Sequence, residues 1–309
     1  MLGPSACAML FKSSLYDFTT SFMRIQKLPK EKFPKPLFEI PGPPKDLWIL
    51  GELPNDEDLI YLCVVGSRKY TSYGKEICEK IITGLKGYPI VIVSGFAMGI
   101  DTIAHKKAMQ VGLKTMVFPG SGLSTDAIHP KTNIPLIEEV LRNDGCLLSE
   151  FEPDFKATYW SFPMRNRLMA GISKAVLIIE AEERSGTLIT ARLATEYNRD
   201  VLAVPGSVFS LNSKGTNRLI RQGATPVTCA EDVLEALGFE QEKDESKQMS
   251  LFMDLSPQEK KVIEILREPI PRDDLIREMK MQITEANTIL SVMEIKGIIK
   301  EEYGEIRLK

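Results

Sequence analysis

The sequence predicts an α/β fold built on a doubly wound, mostly parallel sheet, followed by a small second domain. From residue 59 onwards, short apolar runs alternate with helical patterns, and this order is typical of a parallel sheet covered by helices. The apolar runs lack the polar alternation of a half-exposed strand, which indicates burial on both faces. Glycine-rich turns follow three of the runs, at the edge where such sheets bind ligands.

The strands and helices of this sheet domain are predicted in alternation. We expect strands at residues 60–65, 90–93, 114–118, 146–149, 175–181 and 201–204. We expect helices at residues 72–86, 101–111, 135–143, 165–170, 187–198 and 217–222. In a parallel sheet this order places the carboxyl ends of the strands, with their turns, along one edge.

Composition divides the chain of 309 residues into four segments. Residues 1–58 are rich in proline, which prevents long helices, and are expected to form an N-terminal extension around the main domain. Residues 59–238 carry the sheet. Residues 239–255 are acidic and polar and are predicted to be a linker. Residues 256–309 form a separate C-terminal domain.

This C-terminal domain is predicted to be a winged helix, a variant of the helix-turn-helix. It opens on Ser256-Pro-Gln-Glu259, a capping box with proline at the first helical position. Helices are expected at 257–267, 272–280 and 285–296, followed by a hairpin at 298–308. Acidic and basic residues nearly balance here, so we expect a protein contact or a regulatory role rather than a DNA-groove reader.

Composition also excludes several classes of protein. No run reaches the ~18 apolar residues of a membrane helix, and no positive region precedes an apolar one at the N-terminus, so neither a membrane span nor a secretion signal is expected. The five cysteines are scattered, without a C-x-x-C pair, and there are only two histidines. We therefore expect a cytoplasmic protein with reduced thiols and without disulfides, metal or cofactor.

Three glycine-rich turns lie between an apolar run and a helical pattern: Val64-Val-Gly-Ser-Arg-Lys69, Ser94-Gly-Phe-Ala-Met-Gly-Ile-Asp101 and Glu183-Arg-Ser-Gly-Thr-Leu188. The N–H groups at a helix start are unsatisfied, and the helix dipole favours an anion there. One such turn is weak evidence, since a capped helix with nothing bound is the commoner state of a single helix, but three on one sheet predict a phosphate-binding face. Its candidate residues are Gly66, Ser67, Arg68, Ser94, Gly95, Phe96, Ala97, Gly99, Ser185, Gly186 and Thr187.

Basic and aromatic residues accompany these turns. Arg68, at the end of the first strand, can hold a phosphate bidentately, although an arginine paired with a surface acid would show the same pattern. Residues 156–167 interleave cations with Tyr159, Trp160 and Phe162, which suits stacking of single-stranded nucleic acid. For Trp160 a core position is favoured, whereas Phe162 fits the core and the site equally.

Arg165 and Arg167 are predicted to open a helix, where their charge opposes the helix dipole and a bound anion would relieve the conflict. They stand two residues apart and cannot face one way. One is therefore expected to bind phosphate while the other pairs with an acid such as Glu150. Asp101 is expected to cap a helix rather than to catalyse, and His105 to lie on the helix surface.

These motifs together resemble the DNA-processing protein A family (DprA, also called Smf) over roughly residues 33–235. The resemblance rests on Val65-Gly-Ser-Arg68, Ser94-Gly-Phe-Ala-Met-Gly-Ile-Asp101, Phe162-Pro-Met-Arg-Asn-Arg167, Ser185-Gly-Thr-Leu188, Val204-Pro-Gly206 and Lys214-Gly-Thr-Asn-Arg-Leu-Ile-Arg-Gln-Gly-Ala224. Ordered motifs at compatible spacing are specific, since related nucleotide-binding families would match only one or two of them.

The resemblance implies an extended Rossmann-like domain that binds single-stranded DNA and is not an enzyme. It also implies a protein that protects incoming DNA during natural transformation (competence), helps to load the recombinase RecA in DNA recombination, and forms a homodimer. By the same resemblance, Arg68 would contact a DNA phosphate, and Phe162 would stack on a base. The segment 165–167, with Asn166, would line the pocket, and Gly186 with its neighbours would supply backbone donors.

The chain departs from the family's pattern in two places. The family's N-terminal helical module is absent or reduced to residues 1–32. His129-Pro130 stands where an aromatic residue before proline is usual, which is expected to alter the shape of the pocket.

The rival interpretation is a nucleotide hydrolase of the lysine-decarboxylase-like (LOG) kind, which shares the sheet and a Gly-Thr loop. In that family the Gly-Thr is followed three residues later by a catalytic glutamate. In this sequence the residue three positions after Thr187 is Thr190, so the glutamate that would act as general acid/base is missing. A nucleotide sensor that binds without cleaving stays open as a third interpretation.

Overall fold

The computed structural model describes residues 24–54, 58–239, 255–266, 268–302 and 304–308. The described residues fall into two compact units that divide after residue 241. All of the predicted linker except its first and last residues, 239 and 255, lies outside the described residues.

The described part of the first unit holds a nine-stranded sheet. Its strands are β1 (Gln26–Lys27), β2 (Trp48–Gly51), β3 (Ile60–Val65), β4 (Ile90–Gly95), β5 (Lys114–Phe118), β6 (Cys146–Ser149), β7 (Ala175–Ile178), β8 (Asp200–Ala203) and β9 (Thr225–Pro226). Their order in the sheet is β1-β2-β6-β5-β4-β3-β7-β8-β9.

From β6 to β9 in this order, each strand is parallel to the next. The chain runs outward from β3 through β4, β5 and β6, and then returns to place β7 on the other side of β3. The order therefore reverses between β3 and β7, which opens a crevice at the carboxyl ends of these strands. This topology confirms the predicted Rossmann-like, mostly parallel sheet.

Helices cover both faces of the sheet. They are α1 (Ser72–Gly84), α2 (Ile100–Gln110), α3 (Ile134–Arg142), α4 (Ser161–Ile172), α5 (Thr187–Glu196), α6 (Lys214–Arg221) and α7 (Ala230–Ala236). Side chains of α1, α2 and α7, such as Ile81, Ala104 and Val233, form one apolar core with the sheet. Leu168 of α4 and Ala191 of α5 belong to a second core.

Helix α4 begins at Ser161, four residues before the predicted start. The hydroxyl of Ser161 donates to the carbonyl of Gly120 at 2.5 Å and accepts from the amide of Thr158 at 3.0 Å, which fixes the first turn. Arg165 and Arg167 therefore lie in the second turn of α4. The expectation that they open a helix and oppose its dipole was wrong.

The segment 24–54 is more regular than its proline content predicted. Trp48–Gly51 forms strand β2, which pairs antiparallel with β6, and Gln26–Lys27 forms β1 at the edge of the sheet. Between them, Lys30–Lys32 and Lys35–Phe38 form short 3-10 helices. The N-terminal extension therefore extends the sheet as well as packing on its core.

The second unit consists of three helices and a small antiparallel sheet in its described residues. These elements are α8 (Pro257–Ile265), β10 (Ile270–Pro271), α9 (Arg272–Met279), α10 (Ile283–Ile295), β11 (Ile299–Glu302) and β12 (Glu305–Leu308), with the strand order β10-β12-β11. The predicted capping box is confirmed, since Ser256 Oγ accepts from the amide of Glu259 at 3.2 Å and Glu259 Oε2 from the amide of Ser256 at 2.8 Å. The winged-helix assignment stays a prediction.

Across the described part of the chain, every helix is too short or too polar to span a lipid bilayer.

Candidate functional site

The turns that follow β3, β4 and β7 meet at one edge of the sheet. Thr187 Oγ1, after β7, donates to the carbonyl of Gly66, after β3, at 3.1 Å. The amide of Ile100, after β4, donates to the carbonyl of Ser67 at 3.2 Å. These contacts join the predicted anion-binding turns around one cleft of about 540 Å³ at the switch point of the sheet.

Gly99 allows two of these turns to touch. Its φ is +92°, and a Cβ there would lie 2.4 Å from the carbonyl oxygen of Ser67 and 2.7 Å from Cα of Arg68. A side chain at position 99 would therefore push the turn that carries Arg68 away from α2. The glycine thus fixes the position of Arg68 at the mouth of the cleft.

Arg68 is exposed, and its guanidinium carbon lies 5.6 Å from the centroid of the Phe162 ring. This distance is in the range of a cation–π contact. Within the described residues Arg68 forms no ion pair, so the alternative of an arginine bound to a surface acid is not found there. The Arg68 charge is free to meet an anion in the cleft.

Phe162 is half-buried and held from two sides. The ring packs on Gly120, where a Cβ would lie only 2.5 Å from its Cδ1 atom. The ring of His129 lies edge-on at 6.2 Å between centroids. These contacts shape a small cavity of about 70 Å³ that adjoins the cleft and is also lined by Arg68 and Met98. The arrangement presents a fixed aromatic ring next to a free cation.

Arg165 and Asp101 lie buried beneath the cleft. A Cβ at Gly95 would lie 2.4 Å from Asp101 Oδ2 and 2.5 Å from Arg165 Nη1, so both groups flank this glycine. Arg165 Nη1 donates to the carbonyl of Phe118, and Nε donates to Asn166 Oδ1 at 3.0 Å. Burial raises the pKa of Asp101 to about 6, and the nearby Arg165 charge opposes this shift.

Asp101 is not the residue that caps α2. The N-cap is Gly99, and Asp101 lies in the first turn, where its Oδ2 accepts from the amide of Ala97 at 3.4 Å. Asp101 therefore faces the sheet and the buried guanidinium instead of solvent.

His105 is fully buried, so the expectation of a surface position was wrong. It lies one turn after Asp101 on the same face of α2, which packs on the sheet. Its Nε2 donates to the carbonyl of Gly95 at 2.8 Å, and its Nδ1 lies within hydrogen-bond distance of the Thr115 hydroxyl, at 2.6 Å. His105 thereby anchors the base of the turn that follows β4.

Replacing His105 by glutamine is expected to change how stability depends on pH. Burial lowers the pKa of His105 to about 4, below its ordinary value of 6.5. The folded state therefore resists protonation, and the contribution of His105 to stability falls as the pH drops from 6.5 to 4. As the pH falls over this range, the free energy of unfolding of His105→Gln should therefore rise by a few kcal/mol relative to that of the wild type. Urea denaturation at several pH values measures this difference. A constant difference between the two proteins would contradict this assignment.

Arg167 does not reach the cleft. It forms an ion pair with Glu150, and its Nη1 donates to the carbonyl of Gly42 at 2.9 Å. The expectation that one of the two arginines pairs with Glu150 is confirmed. Because its guanidinium is engaged on this other side, Arg167 is placed outside the candidate site.

Several other predicted site residues support the cleft from below. Ser94 is buried and donates to the carbonyl of Val64 at 2.6 Å, which ties the ends of β3 and β4. Phe96 is buried in an apolar core, although it also borders the small cavity. Of the remaining predicted residues, those that line the cleft itself are Gly66, Ser67, Ala97, Asn166, Ser185, Gly186 and Thr187.

The N-terminus of α5 forms the third wall of the cleft. Gly186 is its N-cap, with ordinary right-handed φ and ψ of −58° and −24°, and Ser185 Oγ accepts from the amide of Thr187 at 3.2 Å. A Cβ at Gly186 would meet no atom within 4 Å. Neither backbone geometry nor packing therefore requires glycine here, and Gly186 lines the cleft.

The variant Gly186→Ala is expected to separate binding from folding. Alanine suits this backbone and should leave the melting temperature unchanged or slightly raised. A methyl group would nevertheless obstruct an anion that approaches the backbone at the start of α5, and we expect roughly tenfold weaker binding of an oligonucleotide. Thermal melts and anisotropy titrations of the two proteins test this, and equal affinity would remove the α5 terminus from the site.

The cleft is also lined by residues that stand in the quoted motifs but were not among the candidate site residues. Tyr159 and Lys69 are exposed and line it, as does Arg184. Trp160 was expected in the core, but it is 54% exposed and packs edge-on against Phe151. The cations and aromatics of residues 156–167 were the signal for Tyr159 and Trp160, whereas Lys69 and Arg184 belong to the glycine-rich turns at 64–69 and 183–188.

The electrostatics of the cleft are predominantly basic. The acidic groups that line it are Asp101, which lies beside the Arg165 guanidinium, and Glu182. The cations that line it are Arg68, Lys69, Arg165 and Arg184. In the described residues, no three His, Cys, Asp or Glu side chains come together in a way that could hold a metal ion. Backbone donors, a free guanidinium and an aromatic ring suit a phosphate-bearing ligand with an exposed base.

The chain is similar in sequence to proteins of a known family. The family model described as DNA recombination-mediator protein A matches residues 24–238. The protein Smf of Escherichia coli is 41% identical over 213 residues, which cover 68% of this chain and 55% of that protein. The chain thus spans little more than half the length of this relative.

Two solved structures of related proteins resemble this chain over about 70% of its length. DNA processing protein DprA of Streptococcus pneumoniae is 42% identical over 210 residues, covering 67% of this chain and 72% of that protein, and its X-ray structure superposes with a TM-score of 0.64. DNA processing protein A of Helicobacter pylori superposes with a TM-score of 0.63 at 31% identity, covering 70% of this chain and 97% of the other. The structure of the H. pylori protein was described in terms of its single-stranded DNA binding mode.

Proposed function

The chain belongs to the DNA recombination-mediator protein A (DprA/Smf) family, and on this premise we propose that it binds single-stranded DNA in the cleft at the switch point of its sheet. A phosphate would lie between the Arg68 guanidinium and the N-terminus of α5. A base would stack on the Phe162 ring. The binding of single strands by the H. pylori relative supports this proposal.

The observation that carries the proposal is the pairing of Arg68 with Phe162. A cation without an ion-pair partner among the described residues lies 5.6 Å from an aromatic ring that is itself held by Gly120 and His129. A duplex hides its base faces within the stack, whereas a single strand offers both a base face and a phosphate to such a pair. The site therefore favours an unpaired strand.

The wider role follows from family membership and is part of the same proposal. We propose that the protein acts in the cytoplasm as a homodimer, protects incoming single strands during natural transformation, and helps to load a RecA-type recombinase on them. It would do this as a binding protein without catalysis. Asp101, the buried acid of the cleft, flanks Gly95 together with the Arg165 guanidinium, which suits a structural role better than proton transfer.

Fluorescence titration of labelled oligo-dT, against a duplex of equal length and at several salt concentrations, tests this function. We expect tighter binding of the single strand, with a slope of log affinity against log salt of about −0.7 for each phosphate neutralised. Equal or tighter binding of the duplex would overturn the proposal.

A nucleotide hydrolase is the competing function, because the cleft also suits a mononucleotide. At the position of the catalytic glutamate in such enzymes stands Thr190, which is buried and lines the cleft. Incubation with nucleoside monophosphates should therefore release no free base. Release of base, or tight mononucleotide binding without any gain for longer oligonucleotides, would favour the rival.

A further inference from the structure

A second exposed aromatic surface lies beside the cleft, on the loop 205–212 that follows β8. Phe209 is 93% exposed, and Val208 and Leu211 on the same loop are exposed as well. Tyr70, close in sequence to Arg68, is also exposed. Apolar side chains grouped in this way on a soluble protein usually indicate a binding surface.

The loop is fastened at both ends to the segment that follows Arg68. At one end, Tyr73 donates its hydroxyl to the carbonyl of Pro205 at 2.7 Å. At the other end, Asn212 Nδ2 donates to the carbonyl of Lys69 at 2.7 Å. Phe209 lies between these two anchors in sequence, so the loop that carries it is held against the segment 69–73.

The strand order sets the distance between the two surfaces. β8 is the second strand from β3, with β7 between them, and neighbouring strands lie about 5 Å apart, so the ends of β3 and β8 are about 10 Å apart. A DNA strand that leaves the cleft would therefore reach the loop within one or two nucleotides.

The cations around this surface suit a phosphate backbone. Lys69 lines the cleft and Lys214 begins α6 directly after the loop; both are exposed, and neither forms an ion pair within the described part of the chain. Close to Lys69 in the chain, Thr71 donates its amide and its hydroxyl to the Glu180 carboxylate, which is buried. Its charge is thus engaged inside the protein, although Glu182 on the cleft wall is exposed.

We propose that single-stranded DNA bound in the cleft continues across Lys69 onto the loop 205–212, where Phe209 is a second stacking platform. This inference rests on the proposed function and adds to it a longer track and a further base-binding residue. Exposed aromatics interleaved with free cations and continuous with the cleft favour a nucleic acid over a protein partner, whose contact would need no cations along the path.

Oligonucleotides of two lengths test the track. The cleft alone would hold an oligo-dT of about four nucleotides, and one of about twelve would reach the loop. The variant Phe209→Leu keeps an apolar side chain but removes the ring. It should bind the longer oligonucleotide about tenfold more weakly and the shorter one as the wild type does. Phe209→Tyr, which keeps the ring, should bind both normally.

A matched control comes from Phe38, which is also an exposed phenylalanine but lies in the N-terminal segment. Phe38→Leu should bind both oligonucleotides like the wild type. If Phe209→Leu binds the longer oligonucleotide normally while Arg68→Ala binds both oligonucleotides more weakly, the proposed path over the loop is wrong and the proposed binding in the cleft is retained. If the wild type binds neither oligonucleotide, the proposed function itself fails.

Discussion

Replacing Arg68 by alanine is expected to weaken binding of single-stranded DNA by roughly tenfold to a hundredfold, because one charge-assisted phosphate contact is lost. The salt slope should become shallower by about 0.7, which is the contribution of one phosphate. Stability should change little, because the side chain is exposed and its described contact is the Phe162 ring. Anisotropy titrations at several salt concentrations measure both quantities.

Arg142→Ala is the matched control for the loss of charge. Arg142 lies on α3, is exposed, and pairs with Glu138 one helical turn away. Both variants remove one positive charge, but only Arg68 lies at the cleft. Wild-type affinity and slope in Arg68→Ala, or equal losses in the two variants, would remove the charge assignment.

Replacing Arg165 by methionine is expected to destabilise the first unit by about 3–5 kcal/mol, because it leaves the buried Asp101 carboxylate without its neighbouring positive charge. The cost should depend on pH. Asp101 already has a pKa of about 6, and loss of the guanidinium raises that pKa further. Below pH 6 the carboxyl group is neutral, so the loss of stability should shrink as the pH falls. Urea denaturation at pH 5 and pH 8 measures the difference.

The variant Asp101→Asn distinguishes the charge effect from lost packing. In the double variant Asp101→Asn with Arg165→Met no buried charge is left at this position, and most of the stability lost at pH 8 should return. A loss that is the same at both pH values and is not rescued by Asp101→Asn would mean that Arg165 acts through its contacts with Phe118 and Asn166 instead.

The central sheet could be predicted from the sequence because its strands are buried on both faces. A continuous apolar run such as Ile60–Val65, in a chain where such runs alternate with helical patterns, predicts a strand that is buried on both faces. The turns at their ends were equally visible, since glycine follows the strand where the backbone must approach its neighbour. Gly99, with its φ of +92° against Ser67, shows the physical reason for that signal.

Other features depend on tertiary contacts that no local pattern reveals. Asp101 was expected at the helix cap and His105 on the helix surface, yet both are buried, Asp101 against the amide of Ala97 and His105 against the carbonyl of Gly95. Strand β2 is only four residues long and joins the sheet by pairing with the distant β6. Trp160 is aromatic and was expected inside, but it lies over other aromatic rings at the surface.

The loop that carries Phe209 is a part of the proposed DNA-binding surface that could not be predicted from the local sequence. Gly206 belongs to the quoted motif Val204-Pro-Gly206, but residues 205–212 include no cation, and nothing in that motif indicates that the loop lies near the cleft. Hydrogen bonds of Asn212 and Tyr73 bring it to the cleft across more than a hundred residues of chain. Such proximity becomes visible only in the folded protein.

A crystal structure of the protein with a short oligo-dT would show whether single-stranded DNA binds in the cleft. We expect a phosphate within hydrogen-bond distance of the Arg68 guanidinium, a base stacked on Phe162, and the DNA strand passing the N-terminus of α5 at Gly186. A strand bound elsewhere on the chain, with the cleft empty and Arg68 facing solvent, would contradict it.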